Sequence, residues 1–273
     1  GFALAYYDIL LNKDANDTAV EFICRKLRAR VHKPEVREKL IPTGHAFGSR
    51  RPSVDSGYFE AFNRDNVSLV DVRETPIVEF TAGGIRTSAG ELPFDIIIFA
   101  TGFDAFTGSL LRPRIAGRGG RTLQQKWAEG PVTQLGVAVS GFPNLFIVVG
   151  PGSPSLLSNV LVSTEEQVDW LEALIRRMDE AGVTEFEATE AAEVDWTAQV
   201  QARAQETLYA STPSFYNGAE VAGKPRVFMP YSGGVRGYRR LLEQCAREGY
   251  TGFQFRRADG GEAAVGPPRA AVA

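Results

Sequence analysis

The stretch "DIIIFATGFDAFTG", Asp95 to Gly108, decides how this chain is read. One aspartate is followed by Ile96, Ile97, Ile98 and Phe99, with no polar residue among them. A strand with one wet face alternates apolar and polar positions, so an unbroken run predicts a strand covered on both faces, as in a parallel sheet. The run ends at Thr101-Gly102, where glycine permits a sharp turn and frees backbone groups for a ligand. "LFIVVGPGSPS", Leu145 to Ser155, repeats the logic, with a buried strand over 145–149 running into a Gly/Pro/Ser loop. In open α/β sheets ligands bind beyond the carboxyl ends of strands, so both exits are candidate ligand loops.

Outward from these runs, strands and helices alternate. Residues 14–31 predict an amphipathic helix, with a Thr18/Glu21 capping box and Val20, Ile23, Cys24, Leu27 and Val31 at helical spacing. A short helix, a turn at Asn63 to Asn66 and a strand over 67–70 follow the segment around Tyr58. Ile77 to Thr81 and Ile85 to Thr87 predict a hairpin across Ala82-Gly83-Gly84. Ser163 with Glu166 predicts a helix start, with Val168, Leu171, Ile175 and Met178 as the apolar stripe and Gly182 as the stop. A helix from about Glu190 to Leu208, a strand in "KPRVFMPY" and a helix in "YRRLLEQCAREG" complete the pattern. The alternation predicts an α/β fold with a largely parallel sheet.

Composition narrows the class. The chain has 273 residues, 44% hydrophobic and 23% charged, with a net charge of -3. That balance supplies no global basic field and argues against a general nucleic-acid or membrane-surface binder. The apolar runs fall well short of the roughly 20 residues that span a bilayer. Cys24 and Cys245, far apart, read as free thiols in a reducing compartment and hence a cytoplasmic protein. His32 and His45 have no Cys or carboxylate at ligand spacing, so no metal site is expected. The opening "GFALAYYDIL", already apolar and without Met, suggests a piece of a longer polypeptide.

Familiar catalytic signatures are lacking. Gly150-Pro-Gly152-Ser-Pro-Ser155 only approaches G-x-G-x-x-G, and neither a G-x-x-x-x-G-K-[ST] nor a G-x-S-x-G is present. "FGSRRP" places Arg50 and Arg51 side by side in a stiff loop with no adjacent acid. From the residues alone that loop is either solvated or an anion site.

"FATGF" within the opening stretch resembles the ATG motif of flavin-dependent monooxygenases. The segments "ANDTAVEFI", "FGSRRP", "YFEAFNRDNVSLVD", "ATGFDAFTG", "KWAEGP", "GFPNLFIVVGPGSPSLLSN", "ETLY" and "GKPRVFMPYSGGVRGYR" follow in order. Together they resemble the C-terminal half of the Baeyer–Villiger monooxygenases, of the phenylacetone, cyclohexanone and steroid monooxygenase group. The resemblance implies FAD and NADPH as cofactors and insertion of one oxygen from O2 into a ketone. It also implies the C-terminal part of a flavoprotein with two dinucleotide-binding domains. Residues 1–94 would be a helical segment and the end of the NADP domain, 95–257 the last part of the FAD domain, and 258–273 a disordered tail.

By the same resemblance Arg51 matches the catalytic arginine, whose permanent charge suits negative charge developing on oxygen. Arg50 matches a basic residue directed at the NADP 2′-phosphate. Thr101, Gly102, Phe103 and Asp104 form the flavin-contacting motif. Pro154, Ser155, Leu156 and Leu157 border the substrate pocket, and Ser158, Asn159 and Val160 lie near the isoalloxazine edge. Leu156 stands where relatives often carry Ala. Phe215 occupies a position usually held by Trp, whose N–H binds the nicotinamide-side ribose, and Phe cannot donate that bond. The family's FAD fingerprint and its F-x-G-x-x-x-H-x-x-x-W-P signature belong to an N-terminal half, the implied partner, so this segment alone is expected to be inactive. Two rival readings stand: a flavin monooxygenase that oxidises nitrogen or sulfur, and a catalytically inert α/β fragment.

Overall fold

Asn12 starts the first helix. Its Oδ1 accepts from the backbone N–H groups of Asp14 (2.8 Å) and Ala15 (3.1 Å), satisfying donors that a helix start leaves free. The expected Thr18 cap instead lies inside the helix, its hydroxyl donating to the Asp14 carbonyl at 3.1 Å. The computed structural model describes residues 6–156 and 158–267. The chain falls into two units, Asn12–Phe103 and the segment from Asp104 onward together with residues up to Leu11.

The Asn12–Phe103 unit contains α1 (Lys13–Arg30), α2 (Pro34–Leu40) and α3 (Tyr58–Ala61). An antiparallel meander follows: β1 (Ile77–Thr81), β2 (Gly84–Thr87) and β3 (Gly90–Pro93). Phe80 pairs with Ile85, and Ile85 with Leu92. The predicted hairpin is present, and β3 extends it. Gly84 is required there: at φ +158° its Cβ would lie 2.0 Å from the Leu92 carbonyl oxygen.

In the second unit come α4 (Gly108–Leu111), α5 (Leu123–Lys126), α6 (Val160–Glu180), β4 (Glu185–Ala188), α7 (Glu190–Gln205), α8 (Gly234–Arg247), β5 (Phe253–Arg256) and β6 (Glu262–Ala263). Strands β4, β5 and β6 form an antiparallel sheet with Phe186 opposite Phe255. Phe186 is fully buried and stacks between Phe146 and Phe253, with ring centroids 5.2 and 4.8 Å away. Leu174 and Met178 of α6, Trp196 and Val200 of α7 and Leu242 of α8 close the core around this stack. Lys126 pairs with Glu193, whose other carboxylate oxygen accepts from Ser140 N–H at 2.8 Å. Burial pushes the Glu193 carboxyl above its ordinary value, opposed by Lys126 and the Ser140 N–H.

Several expectations are corrected. Helix α6 starts at Asn159 rather than Ser163, and its buried face is Ser163, Gln167, Trp170, Leu171, Leu174 and Met178. Val168 and Ile175, assigned to the stripe, are exposed. The true face carries two polar residues at its N-terminal end, which a reading by hydrophobicity passes over. Over 258–267 the expected disordered tail is structured, since β6 pairs with β5 and Val265 is 2% exposed in the core, and 268–273 lie outside the described residues. No largely parallel sheet forms among the described residues. The runs 67–70, 95–100, 145–149 and 224–231 are not strands, and both three-stranded sheets are antiparallel. A parallel strand needs a neighbour reached by a long crossover, and the described residues offer these runs none. Cys24 and Cys245 are buried free thiols. No described helix is long and apolar enough to cross a membrane.

Candidate active site

The double-arginine loop is fixed from behind by Asn16, which is 1% exposed on α1. Its carboxamide makes a paired contact with Phe47, accepting from the backbone N–H at 2.8 Å and donating to the carbonyl at 2.9 Å. Ser49, fully buried, closes the turn by donating to the Ala46 carbonyl at 2.5 Å. Arg50 and Arg51 then emerge exposed, and both line a cavity of about 910 Å³ walled by Val20, Ile23, Leu27 and Phe59. The nearby acids are engaged elsewhere. Arg30 binds Glu60 through two hydrogen bonds of 2.5 and 2.7 Å and also pairs with Asp55. That contact holds Glu60 below the usual carboxylate range. Arg51 has no carboxylate partner among the described residues, leaving an uncompensated guanidinium beside apolar walls. Such a place suits a ligand that is part anion and part ring.

Thr101, Gly102 and Phe103 end the same unit in an exposed segment without regular secondary structure. Gly102 has φ +86°, a Cβ there would meet nothing within 4 Å, and Phe103 is 93% exposed. Asp104 opens the second unit, where Lys224 pairs with its carboxylate and donates to the Ala105 carbonyl at 2.9 Å. The Phe215 ring stacks on Phe106 at 6.3 Å, so Asp104, Lys224 and Phe215 surround one turn. Lys224 was not singled out from the sequence. Its signal there was only a lysine between Gly223 and Pro225.

Pro154, Ser155 and Leu156 are buried, and Leu157 lies outside the described residues. The Pro154 carbonyl accepts from the buried Ser163 hydroxyl at 2.8 Å. The Ser155 hydroxyl is buried with no hydrogen-bond partner among the described residues. Ser158 is half-buried and Asn159 exposed. Asn159 caps α6 by accepting from Leu161 N–H at 3.0 Å. The first turn of α6 presents Val160, Leu161 and Val162 uncovered. An exposed apolar turn beside a helix N-terminus and an unsatisfied hydroxyl fits a flat heteroaromatic ring with polar edges, the ring end of FAD. The described residues contain no group of three or more His, Cys, Asp or Glu able to hold a metal ion.

No family model matches the chain. Over 256 residues it is 43% identical to a 2-oxo-Δ3-4,5,5-trimethylcyclopentenylacetyl-CoA monooxygenase of Pseudomonas putida, covering 92% of this chain and 46% of that protein. It is 40% identical to a Baeyer–Villiger monooxygenase of Pseudooceanicola batsensis, covering 90% of this chain and 45% of the relative. A phenazine N-monooxygenase of Lysobacter antibioticus is also 40% identical, covering 91% of this chain and 45% of the relative. Among solved structures, an oxidized steroid monooxygenase bound to NADP superposes with a TM-score of 0.86 at 46% identity, covering 94% of this chain and 48% of that one. Over about nine-tenths of its length the chain is similar to flavin-dependent monooxygenases, Baeyer–Villiger enzymes among them, and it spans about half the length of the curated relatives it matches.

Proposed function

We propose that this chain is the C-terminal half of an FAD- and NADPH-dependent monooxygenase that inserts one oxygen atom of O2 into a ketone, giving an ester or lactone. The observation that carries the reading is Arg51, a guanidinium without a carboxylate partner at an apolar-walled cavity, in a chain whose relatives include a Baeyer–Villiger monooxygenase. FAD, when bound, supplies the oxygen chemistry. Arg51 places fixed positive charge where negative charge develops on oxygen and does not titrate in doing so. Arg50 binds the NADP 2′-phosphate. Thr101 to Asp104 and Ser158 to Val160 hold the flavin ring, and Pro154 to Leu157 shape the ketone pocket. Phe215 offers the nicotinamide side a ring and no hydrogen-bond donor.

The N-terminal half of the polypeptide is the partner we assign, and it brings the FAD fingerprint that these residues lack. Residues 1–94 then finish the NADP domain and 95–257 the FAD domain. The apolar run 96–99 supports this reading, because its Ile96, Ile98 and Phe99 stand exposed in the described chain. Two free thiols suit the cytoplasm. This segment alone is expected to yield no ester from phenylacetone, FAD and NADPH, and turnover by it would refute the half-enzyme reading.

The deciding experiment is Arg51→Ala in the complete polypeptide. Ketone oxygenation should fall by about 10² to 10³ while NADPH oxidation persists, the range seen when one preorganised donor to an oxyanion is removed. Unchanged ketone oxidation would sink the assignment. The phenazine N-monooxygenase relative favours one second reading, oxidation at a ring nitrogen. Side-by-side assays with phenazine and cyclohexanone separate the two.

A further inference from the structure

Helix α6 turns a polar side chain toward the core where an amphipathic helix would place an apolar one. Gln167 is fully buried, and both ends of its carboxamide are engaged. Oε1 accepts from Val149 N–H at 2.5 Å, and Nε2 donates to Ser153 Oγ at 2.8 Å and to the Tyr238 hydroxyl. Tyr238, also fully buried, donates in turn to the Leu135 carbonyl. Val149 and Leu135 are both in the left-handed region, with φ of +54° and +53°. That region is costly for any residue with a Cβ and most costly for a β-branched one. Two buried side chains therefore grip main-chain atoms at two strained bends.

The bends lie at the foot of the Gly150–Leu156 loop. Gly136, next to Leu135, packs so tightly against it that a Cβ there would lie 2.1 Å from Ser153 Oγ. On the far side the loop is tied to an extended segment, with Gly152 N–H donating to the Met229 carbonyl at 2.6 Å and Tyr231 N–H to the Ser153 carbonyl at 2.9 Å. An apolar residue of similar volume at 167 would fill the space but leave the Val149 N–H without its acceptor, so what the carboxamide adds is its hold on the loop's main chain. A fully bonded buried network specifies one arrangement of the atoms it holds. Backbone strain that persists in a folded chain concentrates where geometry serves function. Burial also raises the Tyr238 phenol above its ordinary value, so it remains a donor at neutral pH.

We propose that Gln167 and Tyr238 are positioning residues, a clamp that holds the Gly150–Leu156 loop in the single shape it presents to flavin and ketone. The proposal rests on the oxygenase reading above. Gln167→Met and Tyr238→Phe, made in the complete FAD-loaded polypeptide, test it. Amide hydrogen exchange over 149–156 should quicken about tenfold, the size expected when a buried donor loses its partner, while the β4–β5–β6 sheet keeps its protection. The flavin absorbance envelope should shift, and kcat for the ketone should fall with KM little changed. Tyr238→Phe keeps the ring packed, so it remains informative if Gln167→Met folds poorly. Exchange unchanged over 149–156, or raised equally across the whole unit, overturns the clamp, as does an unaltered flavin spectrum. If the unaltered polypeptide turns over no ketone, the oxygenase reading fails, and the exchange and flavin measurements still judge the clamp separately.

Discussion

Two apolar runs of this chain, Ile96 to Phe99 and Leu145 to Val149, are alike in composition, yet the centre of the second is buried and the first is mostly exposed. Ile96 and Ile98 are 78% and 84% exposed, and no ladder hydrogen bond reaches their backbone among the described residues. Ile147 is 4% exposed among Leu123, Trp127, Val139 and Phe142, and its N–H donates to the Val137 carbonyl at 2.9 Å. Val149 N–H is taken by Gln167. Water penalises both runs equally, so the difference lies in the neighbours each can recruit. A continuous apolar run shows that cover is needed, not which stretch of polypeptide provides it.

The comparison can be broken most forcefully at Ile147. Ile147→Ala in this chain should cost about 2 to 5 kcal/mol by chemical denaturation, as deleting well-packed core atoms does. A loss no larger than a surface change would mean that the second run is not covered either. Next in size is the effect of completing the polypeptide. Amides of 96–99 should then exchange on the order of a hundredfold more slowly than in this chain, because strand pairing protects them. Equal exchange in both forms would remove the N-terminal half as the missing cover. The smallest effect is expected at Ile98. Ile98→Ala should change the stability of this chain by no more than about 0.5 kcal/mol, as for a surface site. A larger cost would show that the run is already packed without its partner.

What the sequence reveals follows the range of the interactions. The helices at 13–30, 160–180 and 190–205 were readable because helical periodicity is local, although the cap of the first moved to Asn12. The strands β4 and β5, "EFEA" and "FQFR", were missed. At four residues each they are too short for alternation to stand out, and they form because Phe186 and Phe255 meet across the sheet. The parts of the candidate site that are contiguous in sequence, Arg50-Arg51 and the stretch about Pro154 to Leu156, were legible because neighbours in sequence remain neighbours in space. The grip of Asn16 on Phe47 and of Lys224 on Asp104 joins residues far apart in the chain, and no spacing rule marks such pairs. Gln167 was hidden for a different reason. A glutamine in a helix looks solvated until its face is known.

Val265 carries a practical consequence. The sequence suggests trimming the chain at Arg257, where its last periodic segment ends. Such a cut would remove β6 and Val265 together, turning β5 into a bare sheet edge and uncovering aromatic side chains around Tyr250. An exposed edge beside apolar surface is a template for self-association. Expression designs that end at Arg257 should therefore give aggregates, and those that continue past Val265 should not.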